Sequence, residues 1–142
     1  MRVFVDSNVL YLAATSPNGR AMALFRLSEK QRFTIVASSH VIEEARRNVA
    51  VSNGDRMEDL DRLVQQIERV SEAPAKVVSW ASEHDLDAGD APVLAAAVSA
   101  GADGFVTADR SSFGHLVGEK SGGVTVASLC EAVRFFLDRA LL

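Results

Sequence analysis

The sequence predicts an α/β fold with a parallel central sheet. Short apolar runs, of strand length and rich in valine and phenylalanine, alternate along the chain with segments of helical periodicity. Two of these runs lead directly to an aspartate, at the position where ligand crevices form in parallel α/β sheets. The 142 residues are enough for one domain with its own core, so we expect residues 1–142 to form a single domain.

In the first half of the chain, strands are predicted from apolar runs and helices from apolar residues three or four positions apart. The segment Ser16-Pro17-Asn18-Gly19 has turn composition, and Ser38 and Ser39 are good N-caps. The cleanest helical period joins six apolar residues between Met57 and Val70. The elements expected here are a strand at 2–5, helices at 9–14 and 20–32, a strand at 33–37, and helices at 40–50 and 57–70.

In the second half, proline and glycine mark the boundaries. Pro74 interrupts the helical pattern, and Pro92 is tolerated only in the first turn of the buried, alanine-rich helix that follows. The segment 111–114 is predicted to be a flexible stretch. The elements expected here are helices at 77–83 and 93–100, strands at 105–107 and 124–126, and a C-terminal helix from Ser128 with Leu129, Val133, Phe136, Leu137 and Ala140 on one face.

Composition and charge exclude several classes of protein. The hydrophobic fraction of 48% and charged fraction of 24% are those of a globular protein, not of a disordered chain or coiled coil. No apolar run reaches the ~18 residues of a membrane span, and the N-terminus lacks a signal-peptide pattern. The single Cys130 excludes an internal disulfide, so a reduced, cytoplasmic location is expected. The net charge of −4 argues against a wholly basic nucleic-acid-binding surface, but not against a local basic patch.

Three aspartates are predicted at one edge of the sheet. Asp6 and Asp109 follow predicted strands, and Asp90 lies at the start of the helix that contains Pro92. Taken alone, each is better explained as a helix cap, and Asp87 competes with Asp90 for that capping role. Asp90 is nearer the buried helix, so we expect its carboxylate to point further inward than that of Asp87.

A fourth acid comes from the helix predicted at 40–50. Measured from the centre of its apolar stripe, Glu44 lies ~115° away and Glu43 ~145° away. Glu44 is therefore the better inward-pointing acid. The alternative is that both glutamates are solvated and that Glu43 pairs with Arg47 one turn later.

Carboxylates packed together are unfavourable without a counter-charge, because like charges raise one another's pKa. Mg²⁺ and Mn²⁺ prefer carboxylate oxygens and would remove this repulsion. If the four acids converge, either metal should raise the melting temperature. On the same reasoning, Asp109→Asn should relieve repulsion and leave the metal-free protein at least as stable as the wild type.

Four segments spanning residues 3–109 resemble, in order, the motifs of PIN domains. Residues 3–10 look like the opening motif of three apolar residues followed by Asp-Thr-Asn, with Ser7 in the threonine position. Residues 39–45 and 87–97 are similar to the second and third motifs. Residues 101–109 resemble the last, an apolar strand followed by Thr-x-Asp. Each motif is weak alone, and together they are specific.

The resemblance implies a three-layer α/β/α sandwich and metal-dependent cleavage of phosphodiester bonds, most often of RNA, as in VapC-like toxins of toxin–antitoxin pairs. It implies Mg²⁺ or Mn²⁺ as the cofactor, RNA as the substrate, an antitoxin protein as a partner, and a homodimer. By motif position, the implied site consists of the metal-binding and catalytic acids Asp6, Glu44, Asp90 and Asp109 and the polar supports Ser7, Asn8 and Thr107.

Basic residues near these acids are candidates for RNA binding. Arg46 and Arg47 follow Glu44 closely, and Arg110 adjoins Asp109, so these arginines can hold phosphates beside the metal. Further candidates, with solvated helix faces or core packing as the alternative, are Arg20, Arg26, Lys30, Arg32, Tyr11 and Trp80.

Two other functions stay open. In a phosphate-ester hydrolase with an aspartate nucleophile, Asp6 would attack the substrate, but such enzymes need a second acid two residues later and this chain has Asn8. A non-catalytic PIN-like module would bind RNA or protein without turnover, and retention of all four acids argues against it.

The apolar residues of the C-terminal helix indicate that the protein forms a dimer. Phe135 lies ~100° from Phe136 around the helix, off the apolar stripe, and is a candidate for exposed apolar surface. With the strongly amphipathic helix at 57–70, it favours a two-fold dimer that brings two acidic sites towards one basic groove. The alternative is that Phe135 packs beneath the loop at 113–123.

Overall fold

The computed structural model describes residues 1–31 and 33–140, except the side chain of Ala140. Within these residues, strands form one sheet in the order β3-β2-β1-β4-β6-β5, with every neighbouring pair parallel except β5 and β6. This confirms the predicted α/β class and its mostly parallel sheet. Arg32, a predicted helix end and candidate RNA contact, and Leu141 and Leu142 lie outside the described residues.

The sheet is flanked by helices along the whole chain. The strands are β1 (Arg2–Val5), β2 (Thr34–Ser38), β3 (Glu68–Val70), β4 (Gly104–Thr107), β5 (Lys120–Ser121) and β6 (Val124–Ser128). The helices are α1 (Ser7–Thr15), α2 (Arg20–Gln31), α3 (Ser39–Ser52), α4 (Met57–Gln66), α5 (Ala75–Ser82), α6 (Ala91–Ser99), α7 (Arg110–Phe113) and α8 (Leu129–Ala140).

The strand order places the helices on both faces of the sheet. The chain steps outward from β1 to β2 to β3 and then returns to β4, so right-handed crossovers put α1–α4 on one face and α5 and α6 on the other. Helix α8 packs beside α2. Stacked phenylalanine pairs fill the core, with ring centroids 5.7 Å apart for Phe4 and Phe105 and 3.9 Å apart for Phe33 and Phe136.

The helix predicted over 57–70 is shorter than expected. It ends at Gln66, Ile67 is extended (φ −89°, ψ 135°), and Glu68–Val70 forms β3 in parallel register with β2. The spacing of three and four positions between apolar residues continues to Ile67. The segment nevertheless becomes a strand, because its pairing with β2 satisfies the backbone groups on the outer edge of that strand. The prediction of a helix over 57–70, which rested on periodicity alone, was therefore wrong.

The segment after β4 is ordered where flexibility was expected. Residues 110–113 form the short helix α7, and β5 makes an antiparallel hairpin with β6. The hairpin turn packs closely: Gly122 has φ +57°, and a Cβ atom there would lie 2.8 Å from Trp80. His115 Nε2 lies 2.8 Å from the carbonyl oxygen of His84.

The buried face of α8 differs in part from the predicted stripe. Val133 and Phe136 are buried as expected, but Leu129 is half-buried, Leu137 is 50% exposed, and Ala132 is buried instead. The side chain of Ala140, the last residue of that stripe, lies outside the described part of the chain. Phe135 is 42% exposed, and the Arg139 guanidinium lies 4.1 Å from its ring centroid. None of the helices in residues 1–31 and 33–140 is both long and apolar enough to cross a membrane.

Candidate active site

The carboxyl ends of β1 and β4 lie side by side and place Asp6 next to Thr107. The Thr107 hydroxyl donates a hydrogen bond to Asp6 Oδ2 over 2.5 Å. Asp6 Oδ1 accepts a hydrogen bond from the backbone N–H of Val9 over 3.0 Å and so caps α1. Asp6 therefore caps α1 with one carboxylate oxygen and binds Thr107 with the other, so the capping role does not exclude the predicted site role.

Burial controls the charge of Asp6. The residue is only 4% exposed, and this desolvation raises the pKa of its carboxyl from 3.8 to about 6. The hydrogen bonds from Thr107 and Val9 lower this pKa, and the charge of Asp109 raises it further. No lysine or arginine in the described part of the chain forms an ion pair with Asp6. The carboxylate is thus buried without a positive partner.

Asp109 is the most heavily hydrogen-bonded of the acids. The hydroxyls of Ser111 and Ser112 donate to its Oδ1 and Oδ2 over 2.7 and 2.9 Å, and both backbone N–H groups donate to Oδ1. These bonds, that of the Ser111 hydroxyl first, lower the pKa of Asp109. These hydrogen bonds stabilise the charged carboxylate and so oppose the gain in stability expected for Asp109→Asn, which stays a prediction.

Asp90 and Asp87 divide their roles as predicted. Asp87 Oδ1 accepts hydrogen bonds from the backbone N–H groups of Gly89 and Asp90, both over 2.9 Å, and closes the turn before α6. Asp90 makes no capping hydrogen bond. Burial raises the pKa of Asp90, the hydrogen bond from Ser112 lowers it, and the charges of Asp87 and Asp109 raise it. Ser112, whose hydroxyl donates to Asp109, lines the same cavity as Asp90.

The structure distinguishes the two glutamates of α3. The Ser7 hydroxyl donates a hydrogen bond to Glu44 Oε1 over 2.7 Å, which ties Glu44 to the residue that follows Asp6. His40 Nε2 lies 3.6 Å from Glu44 Oε2. Glu43 is exposed. The orientation of the helix is the one calculated from its apolar stripe.

The candidate RNA-binding arginines differ in whether their guanidinium groups are already engaged in an ion pair. Arg46 Nη1 lies 2.8 Å from Asp61 Oδ1 of α4, so Arg46 is held in an ion pair with that helix. Arg47 and Arg110 are exposed and form no ion pair with any residue in 1–31 or 33–140.

The acids supply the oxygen donors that a hard divalent cation prefers, but in this arrangement their side chains do not converge on one position. An open cavity of about 450 Å³ borders Asp87 and Asp90 and the two serines of α7. All nearby donors are carboxylate or hydroxyl oxygens, which Mg²⁺ and Mn²⁺ prefer. However, no group of three histidine, cysteine, aspartate or glutamate side chains among the described residues is close enough together to hold a metal ion.

Sequence reasoning missed the two serines of α7. Ser111 and Ser112 donate hydrogen bonds to the Asp109 carboxylate, and Ser112 lowers the pKa of Asp90. The available signal was an aspartate followed by polar residues two and three positions later, which is the pattern of a capped helix start.

Comparison with known proteins identifies a family. The PIN domain family matches residues 2–111 of the chain. No curated protein matches the sequence.

Solved structures share the fold at low sequence identity. VapBC2 from Rickettsia felis, bound to a DNA fragment from its promoter, has a chain that is 18% identical with a TM-score of 0.67, over 90% of this chain and 98% of that one. A protein from Pyrobaculum aerophilum is 18% identical with a TM-score of 0.68, over 97% and 96%. VapC20 from Mycobacterium tuberculosis, a toxin that cleaves the sarcin-ricin loop, is 17% identical with a TM-score of 0.57, over 76% and 90%. With the family match over most of its length, the chain belongs to the PIN domain family.

Proposed function

We propose that this protein is a divalent-metal-dependent endoribonuclease that hydrolyses phosphodiester bonds of RNA. The observation that carries the proposal is the Asp6 carboxylate, which is buried at the carboxyl edge of the sheet with no lysine or arginine partner among the described residues. A fold that only needed a cap for α1 would not have to bury a charge there, because asparagine or serine caps a helix equally well.

Four acids are proposed to hold Mg²⁺ or Mn²⁺: Asp6, Glu44, Asp90 and Asp109. Thr107 and Ser7 orient two of them by the hydrogen bonds described above, and Asn8 lies beside Ser7 at the start of α1. Because the carboxylates do not converge in the present arrangement, metal binding requires side-chain rotations that bring them together. When bound, the cation would supply the positive charge that stabilises the pentacovalent transition state and acidifies the attacking water.

The exposed arginines are proposed to hold the RNA backbone. Arg47 lies one residue after Arg46 on α3, and Arg110 directly follows Asp109. Both are free to bind phosphate through their guanidinium groups. Arg46 contributes only if it leaves Asp61, so we expect it to matter less than the other two.

We also propose that the protein is the toxin of a toxin–antitoxin pair and acts in the cytoplasm. The structural neighbours from Rickettsia felis and Haemophilus influenzae are VapBC complexes, which supports a protein partner for this chain. The neighbouring reading frame provides the test. A small protein encoded there that binds this chain and inhibits its activity is expected, and absence of any such inhibitor would contradict the toxin role.

The nuclease proposal is tested with purified protein and a mixed RNA pool. We expect cleavage by the wild type with Mn²⁺, none with EDTA, and none by Asp6→Asn with Mn²⁺. The second candidate, a non-catalytic RNA- or protein-binding module, predicts RNA retention without cleavage for both proteins. Cleavage by Asp6→Asn at the wild-type rate would show that a contaminating nuclease or another site is responsible.

A further inference from the structure

A groove of about 370 Å³ lies between α1 and α3, outside the acidic cavity. It is lined by Asn8, Tyr11, Asn48, Val51 and Ser52. The groove begins beside the acids: Asn8 follows Ser7, which is bonded to Glu44, and Asn48 lies one helical turn after Glu44. A chain lying across the acids could therefore place its next unit in this groove.

The tyrosine in the groove is held in place by its hydroxyl. Ser52 Oγ donates to the carbonyl oxygen of Asn48 over 2.8 Å, so the Tyr11 hydroxyl donates to Ser52 Oγ over 2.7 Å. Asn53 Nδ2 donates to the same hydroxyl over 3.0 Å. Tyr11 itself is half-buried. The ring is therefore fixed at its hydroxyl end, packs partly against the core and lines an open groove.

The lining of the groove indicates what it binds. No charged side chain is among the lining residues, which include two carboxamides, one aromatic ring and Val51, which is 89% exposed. A phosphate group would need a cation or several N–H donors. A nucleobase instead needs a flat apolar face for stacking and amide groups that pair with its edge, as asparagine does with adenine.

We propose that this groove, formed by Tyr11, Asn48 and their neighbours, binds the base of a nucleotide adjacent to the scissile phosphate. Tyr11 stacks on the base, and Asn48 with Asn8 hydrogen-bonds to its edge. The proposal rests on the ribonuclease function proposed above and adds to it the residues that set base preference next to the cut.

The test is a scan of one cleaved oligonucleotide in which each base in turn is replaced by an abasic site. We expect one position next to the cut at which base removal slows the wild type about tenfold, through KM, because base–aromatic stacking contributes on this scale. The Tyr11→Leu variant should be slow on the intact strand and insensitive to base removal at that position. Tyr11→Phe keeps the ring and should keep most of the sensitivity. Asn48→Ala should relax base preference there, whereas Asn18→Ala, in the exposed turn at 16–19, should not.

The outcomes separate this inference from the proposed function. Equal sensitivity of Tyr11→Leu and the wild type to base removal at every position overturns the base-binding role, even if cleavage is normal. Weaker binding of an inhibitory protein by Tyr11→Leu, with RNA cleavage unchanged, also overturns it and makes the groove a protein contact. If the wild type cleaves no RNA, the proposed function fails, and the groove is then tested by fluorescence anisotropy of the same labelled strands. Binding that does not depend on any base overturns the inference in that case.

Discussion

Replacing Asp6 by asparagine should stabilise the metal-free protein. Asp6 is 4% exposed, and its pKa in the folded protein is about 6, against an ordinary value of 3.8. At about 1.36 kcal/mol per pKa unit, this difference corresponds to a cost of up to about 3 kcal/mol for keeping the carboxylate charged at neutral pH. Asparagine is uncharged and can still accept the capping hydrogen bond from Val9 through Oδ1, while its Nδ2 donates to the Thr107 hydroxyl in place of the bond that Asp6 accepts from it. We therefore expect Asp6→Asn to increase the free energy of unfolding by up to about 3 kcal/mol near pH 7.5.

The pH dependence of this gain has a definite sign. Because the pKa of Asp6 is raised in the folded state, the folded protein binds more protons than the unfolded chain between pH 3.8 and about 6. The wild type accordingly loses stability relative to Asp6→Asn as the pH rises through this window. Below it, both states of the wild type are protonated at Asp6, and the difference between the two proteins should disappear.

Urea unfolding of the two proteins in EDTA, across this pH range, measures the effect. Asp55→Asn, at an exposed position in the turn before α4, is the matched control and should change little at any pH. Added Mn²⁺ should make the wild type more stable than Asp6→Asn, because the cation stabilises only the protein that can bind it. Lower stability of Asp6→Asn than the wild type near neutral pH without metal, or a difference independent of pH, would refute the buried-charge reasoning.

Three further changes test other parts of the structure. Glu44→Gln should abolish RNA cleavage without loss of stability while Glu43→Gln retains most activity, and the opposite result in a cleavage assay would mean that Glu43 is the ligand. Gly122→Ala should lower the free energy of unfolding, measured in urea, by about 1–2 kcal/mol more than Gly123→Ala. Both glycines have positive φ, but only at Gly122 would a Cβ atom lie against Trp80. Equal losses for the two variants would contradict this packing. Light scattering should give a dimer that Phe135→Glu weakens, and a mass near 15.2 kDa for the wild type at every micromolar concentration would exclude the dimer.

The sequence predicts the fold well where pattern and tertiary structure agree. The strands that precede Asp6 and Asp109 and the capped start of α3 lie within a few residues of their predicted positions, because apolar runs and capping residues are local signals. β3 was missed because its pairing with β2 is a long-range interaction that overrides the local helical period. Hairpin strand β5 has only two residues, too few for any periodic pattern.

The residues of the candidate site were proposed from the sequence, but their electrostatics could not be. Motif position and helical angle select Asp6 and Glu44 as candidates, whereas the charge state of Asp6 depends on its burial, which only the fold determines. Asp6 and Asp109 look alike in sequence, since each follows a strand and caps a helix. Burial raises the pKa of the first, and two serine hydroxyls lower that of the second. The opposite pKa shifts of these two aspartates therefore cannot be inferred from their positions in the sequence, because they depend on the side chains that surround each carboxyl in the fold.

The most direct test of the proposed metal-dependent nuclease is the rate of Mn²⁺-dependent RNA cleavage by Asp90→Asn compared with Asp87→Asn. The two aspartates share one turn, but Asp87 binds backbone N–H groups that an asparagine can also satisfy, whereas Asp90 makes no capping hydrogen bond and carries a raised pKa. A loss of about a hundredfold or more for Asp90→Asn, with Asp87→Asn close to the wild type, is the predicted result, in line with the loss of a group that stabilises the transition state. Equal rates for Asp90→Asn and the wild type would contradict the assignment of these carboxylates as the catalytic metal site.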